Sequence, residues 1–173
     1  MTSAFSKLTL HSDQHPGRGI EIRSPVSGLV SAPDVLAGPV YQSGLIPDAV
    51  QVQLQGHQLV APFSGIVTSA DRGGHRVLLH HPNGLKLEIA FPPQTAQHTL
   101  GFHWLVATRS KINAGQPLLQ FDAARLAPVC QPLYCILTLS DHPKIQRIHS
   151  KSGYVAAGVD PLFWLEFTPA VAS

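Results

Sequence analysis

Charge is scarce in this chain. Asp, Glu, Lys and Arg make up 13% of its 173 residues, against 44% hydrophobic residues, a balance that favours a core-forming chain over a disordered one. The formal net charge is only +2, and no Lys/Arg cluster interleaved with aromatics occurs, so nucleic acid is not an expected partner. Long apolar runs are missing too. The longest, Leu133-Tyr134-Cys135-Ile136-Leu137-Thr138-Leu139, has the length of a core strand and not of a membrane span. There are two cysteines. Cys130 and Cys135 have opposite pleat parity on one expected strand run, which makes a mutual disulfide awkward and fits the reduced, buried thiols of a cytoplasmic protein. No further cysteine pair completes a metal site, so neither a metal nor another cofactor is expected. Residues 1–19 lack the charged start and continuous apolar core of a secretion signal. They read as a flexible leader, in which Phe5 and Leu8 suggest at most a peripheral contact with a membrane surface.

Turn formers, by contrast, are plentiful. Fourteen glycines and fifteen prolines are spaced along the chain and punctuate short strands, as in a sandwich or barrel. Ser24-Pro25-Val26-Ser27-Gly28-Leu29-Val30 returns as Ala61-Pro62-Phe63-Ser64-Gly65-Ile66-Val67. In both copies Pro fixes φ, Gly permits close approach and the aliphatics enter a buried strand. Two copies are too few for a solenoid. The expectation is an all-β antiparallel sandwich or barrel-like domain of two similar halves over residues 20–168, with a tail over 169–173. Short helical turns are expected near 122–126 and 141–145.

One hairpin carries the most chemistry. Gly74 to His81 and Leu85 to Phe91 are aliphatic-rich runs around Pro82-Asn83-Gly84, a strong hairpin signal. With Pro82-Asn83 as the two-residue tip, 79 falls against 86 and His75 against Ala90, as cross-strand neighbours.

With the repeated Ser-Gly motifs, the His75 hairpin, Gly84, Thr95, Ile112-Asn113-Ala114-Gly115-Gln116-Pro117-Leu118, Phe121-Asp122 and Ser152-Gly153-Tyr154-Val155-Ala156-Ala157-Gly158, the chain resembles the glucose-type enzyme IIA domain of the bacterial phosphoenolpyruvate-dependent sugar phosphotransferase system. The resemblance implies a phosphoryl-accepting histidine at the position of Ala90 and a stabilising histidine at His75. Alanine has no nitrogen to accept phosphate. The family pattern also has an apolar aromatic where Glu88 stands and Phe-Gly where this chain has Phe91-Pro92, followed by Pro93. A carboxylate beside position 90 repels phosphate, and two prolines remove N–H donors. The resemblance further implies docking of the phosphocarrier protein, transporter IIB/IIC domains or regulatory targets on a shallow apolar surface at Val40, Tyr41, Leu45 and Ile46.

The expected function is therefore that of an enzyme IIA-like regulator or adaptor that does not relay phosphate. An active relay would need a surrogate acceptor, His98 or His75. A biotinyl or lipoyl carrier lacks its lysine at a hairpin tip, and a zinc peptidase on a related scaffold would need His-x-His at Glu88-Ile89-Ala90.

Overall fold

The computed structural model describes residues 6–12, 19–43, 45–46, 48–71, 76–96, 99–140 and 142–169. Its first strands are β1 (Leu8–His11), β2 (Ile20–Arg23), β3 (Gly28–Ser31) and β4 (Ala49–Leu54), with the one-turn helix α1 (Pro39–Gln42) before β4. There follow β5 (Gln58–Val60), β6 (Gly65–Asp71), β7 (Arg76–His80), β8 (Lys86–Ala90), β9 (Phe102–Trp104), β10 (Lys111–Ile112) and β11 (Pro117–Phe121). After α2 (Ala123–Leu126) come β12 (Tyr134–Leu139), β13 (Ile145–Lys151), β14 (Gly153–Val155) and β15 (Pro161–Phe167).

The strands form the all-β sandwich architecture. The largest sheet has the order β10-β6-β7-β8-β12-β4-β3-β14, the second β1-β13-β15-β2, and a small third sheet β5-β11-β9. Val77 and Leu79 on β7, Leu87 and Ile89 on β8, and Cys135, Leu137 and Leu139 on β12 turn into one core with Ile148, Leu162 and Phe163 from the second sheet. The alternate residues Arg76, Glu88, Ala90, Ile136 and Thr138 lie on the opposite face, as the period of two requires.

The repeated motif has a repeated structural reason. Ser27 Oγ accepts from Ala157 N at 2.9 Å, and Ser64 Oγ accepts from Ala114 N at 3.0 Å. Gly158 N donates to Ser24 O, and Gly115 N to Ala61 O, each at 2.8 Å. Each half thus clips its strand entry to an Ala-Gly turn from a distant part of the chain. The two serine bonds should contribute alike: Ser27→Ala and Ser64→Ala are each expected to lower unfolding free energy by about 1 kcal/mol in urea titrations.

Four details differ from expectation. The hairpin turn has three residues, Pro82 to Gly84, because His81 N bonds Leu85 O at 2.8 Å and Gly84 takes a positive φ of 97°, the geometry of a turn closed by a left-handed residue. The register therefore slips by one, so that Arg76 faces Ala90 and His80 faces Lys86. His75 lies outside the described residues. Second, residues 8–11 of the expected leader are a strand, pairing in parallel with β13; Leu8 and Leu10 pack against the core. Third, that pairing makes the second sheet mixed.

The fourth concerns the helical turns. Asp122 caps α2, its Oδ1 accepting from Ala124 N and Arg125 N, as the Asp-led run predicts. Residues 142–145 instead form a turn feeding β13, with Ile145 N bonded to His142 O, and Pro143 inside the segment removes a helix donor. Cys130 and Cys135 are both free and buried, and burial pushes both thiols up from their ordinary range.

Candidate functional site

Position 90 ends β8 on the outer face of the large sheet. Arg76 is its neighbour on β7 and Ile136 its neighbour on β12. One step along the same face, Glu88 lies opposite Thr138. The Glu88 carboxylate reaches diagonally to Arg76, with Nε–Oε1 3.6 Å. Both side chains are substantially exposed, so this pair contributes about 0.5 kcal/mol or less. Among the described residues, the strand neighbours on this face beside Ala90 thus offer a guanidinium, a carboxylate, a hydroxyl and an aliphatic. Among them is no nitrogen with a free lone pair, since arginine stays protonated.

Residues 34–43 drape over this face. Asp34 N bonds Gln51 Oε1 at 3.3 Å, and the Tyr134 hydroxyl donates to Leu36 O. On α1, Tyr41 hydrogen-bonds the Thr138 side chain and lies within electrostatic reach of Glu88 and Arg76. Burial, then the Glu88 carboxylate, pushes the Tyr41 phenol up, with Arg76 and Thr138 opposing. This drape explains why Tyr134 and Ile136, on the outer face of β12, are nonetheless buried.

Of the four residues expected to dock partners, Val40 and Leu45 are exposed, while Tyr41 and Ile46 are half-buried. Val35 and Leu36 are exposed beside them and were not singled out by sequence. Leu45 and Val35 leave 72% and 74% of their surface to solvent. An exposed cluster of large aliphatics on one segment is the usual mark of a protein-contact surface. Arg76 and Thr138 were also missed. A count of three turn residues would have found Arg76, because it moves every β7 side chain to the other face.

After Ala90 the chain turns inward. Phe91 and Pro92 are buried, and Phe91 packs edge-on to Phe102 with ring centroids 5.1 Å apart. Pro92 and Pro93 offer no backbone N–H, and Pro92 O is taken by Thr95 N at 3.0 Å and Thr95 Oγ1 at 2.7 Å. His98 lies outside the described residues. No group of three or more His, Cys, Asp or Glu is arranged to hold a metal among the described residues. None of the helices there is long and apolar enough to cross a membrane.

Known proteins share this sequence and fold. The model of the phosphoenolpyruvate-dependent sugar phosphotransferase system EIIA 1 family matches residues 20–144. The glucose-specific EIIA component of Haemophilus influenzae is 24% identical over 155 residues, covering 89% of this chain and 93% of that protein. The mannose-specific EIIBCA component of Corynebacterium glutamicum is 27% identical over 133 residues, 76% of this chain, but the match spans a fifth of that longer protein. In three dimensions, the glucose permease IIA of Mycoplasma capricolum superposes with a TM-score of 0.73 at 17% identity, over 87% of this chain and 98% of that one, which establishes a common fold. The sandwich, the two clipped halves and the family match agree, and the chain belongs to the EIIA 1 family of the sugar phosphotransferase system as a glucose-type EIIA domain.

Proposed function

We propose that this domain does not relay phosphate through position 90 and acts instead by docking, as a cytoplasmic regulator or adaptor within the phosphotransferase system. The observation that carries this reading is Ala90 itself, flanked by Arg76, Glu88 and Ile136. A phosphoryl acceptor requires a nucleophilic lone pair at the end of β8, and a methyl group has none. The neighbouring surface supports the docking reading. Val35, Leu36, Val40 and Leu45 present apolar side chains to solvent on a segment tied down at Gln51, Tyr134 and Thr138.

The partners that fit are the phosphocarrier protein and the IIB and IIC transporter domains, which in the fused relatives share one chain with EIIA. Calorimetric titration with the phosphocarrier protein and with a soluble IIB domain tests this. Binding of at least one is expected. Leu45→Glu, which places a charge on one of the most exposed aliphatics of this segment, should weaken that binding by about tenfold. Absence of binding to both, by a protein that melts cooperatively, overturns the docking role.

A further inference from the structure

A second histidine cluster lies on the other sheet, away from position 90. His11 Nε2 and His149 Nδ1 are 2.8 Å apart, and His149 Nε2 is 2.7 Å from Glu166 Oε2. The His149 and Glu166 side chains are only 13% and 19% exposed. They join three strands, β1, β13 and β15. The ring centroids of His11 and His149 are 4.9 Å apart, close to the separation at which two imidazole nitrogens point at one another. That is hydrogen-bond geometry, and a metal between them would force the rings apart.

The proton count of this chain of bonds is fixed by its end. A carboxylate only accepts, so His149 carries its proton on Nε2. Between the two imidazoles there is room for one more proton. Either neutral His11 donates from Nε2 to His149 Nδ1, or cationic His149 donates from Nδ1 to His11. When both rings are cationic, two N–H groups face each other and the bond is lost. The charged neighbours do not relieve this. Lys151 pairs with His11 across β1 and β13, and Arg147 pairs with Glu166. On β2, beyond Trp164, stand Glu21 and Arg23. The sequence of β1 itself supplies no other titratable group.

The other end of β1 is held by a second acid. Asp48 is buried, sits at φ 60°, and its Oδ1 accepts from Ser6 Oγ at 3.1 Å, Lys7 N at 2.8 Å and Leu8 N at 3.1 Å. Asp48 follows the docking segment two residues after Ile46. Between these two anchors, β1 is held by backbone bonds that include Ile148 N to Lys7 O and Ser152 N to His11 O, each 2.9 Å.

We propose that β1 is an acid-releasable strap: protonation of both His11 and His149 unseats it from β13 and strips Asp48 of its three donors, loosening the segment that carries Leu45 and Ile46. Histidine suits such switching because it is the side chain whose ordinary charge change falls between about pH 5 and 8. Any consequence for partner binding rests on the docking reading above; release of the strap does not.

Amide hydrogen exchange, corrected for the intrinsic pH dependence, tests the strap directly. On going from about pH 7.5 to about pH 5, protection of the Ser152 and Ile148 amides should fall by about tenfold, with the Leu87 amide of the central sheet unchanged. His11→Gln keeps a neutral N–H donor toward His149, so in that variant the same amides should change by less than about twofold. Unchanged protection in the wild-type protein overturns the proposal, and so does an equal acid response in His11→Gln.

Discussion

Incubated with phosphoenolpyruvate, enzyme I and the phosphocarrier protein, the wild-type domain is expected to gain no acid-labile phosphate by intact mass, while an active EIIA domain in the same mixture is phosphorylated. The reason is local. Transfer to histidine requires an imidazole lone pair in line with the donor phosphorus, and the outer face at the end of β8 presents a methyl group between Arg76 and Ile136. An imidazole placed at position 90 is not by itself expected to give the reaction. In Ala90→His the new phosphate would sit near Arg76, which favours it, but also beside the Glu88 carboxylate on the same face, which opposes it. Pro92 and Pro93 contribute no N–H of their own to bind its oxygens. The rate of phosphorylation of Ala90→His should stay below about one-tenth of the control domain's, since each missing oxyanion donor costs on the order of 100-fold in rate. Adding Glu88→Phe and Pro92→Gly should raise it. Full phosphorylation of the single mutant would show that the neighbours are unimportant, and phosphate on the wild-type protein would place a surrogate acceptor at another histidine, with His75 and His98 the first to map.

Gly65→Ala, like Gly28→Ala, is expected to destabilise the central sheet strongly. A Cβ at Gly65 would lie 2.2 Å from His80 O, and one at Gly28 would lie 2.0 Å from Gln53 O. These are backbone atoms of the adjoining strands, so no rotamer change relieves the overlap and the strand must move away from its partner. A loss of about 3 kcal/mol or more is expected, above the usual 1–3 for overpacking, with a fall in melting temperature of roughly 6–12 °C for a chain of this size. Gly115→Ala is the informative comparison. Nothing lies within 4 Å of its Cβ, and only its φ of +84° opposes a side chain, so about 1 kcal/mol is expected there. Equal losses at Gly65 and Gly115 would show that close approach to His80 O does not set the cost at Gly65.

Much of this architecture was readable from residues because its causes are local or repeated. Ser24 to Val30 and Ala61 to Val67 announce two similar strand entries, and the Ser-to-Ala-Gly clips are what those repeats build. Leu87, Ile89 and their polar alternates declare the two faces of β8. The turn at Pro82-Asn83-Gly84 was less legible, since the same three residues serve a two-residue or a three-residue loop. The difference exchanged His75 for Arg76 as the cross-strand neighbour of Ala90. Farther contacts left almost no local trace. Leu8–His11 is too short to signal a strand by itself, and it becomes one only because β13 offers an edge some 140 positions later. The His11–His149–Glu166 cluster follows from that pairing and could not be read without it.

The alternation along β8 has an evolutionary consequence. Leu87 and Ile89 are completely buried in the core, whereas Ala90, though also buried at 7% exposure, lies on the other face with Arg76, Glu88 and the draped segment. Selection for folding acts on one set of side chains and selection for surface chemistry on the other. A lineage can therefore change the chemistry of this outer face without losing its domain, and the face remains free to be recruited for a different task.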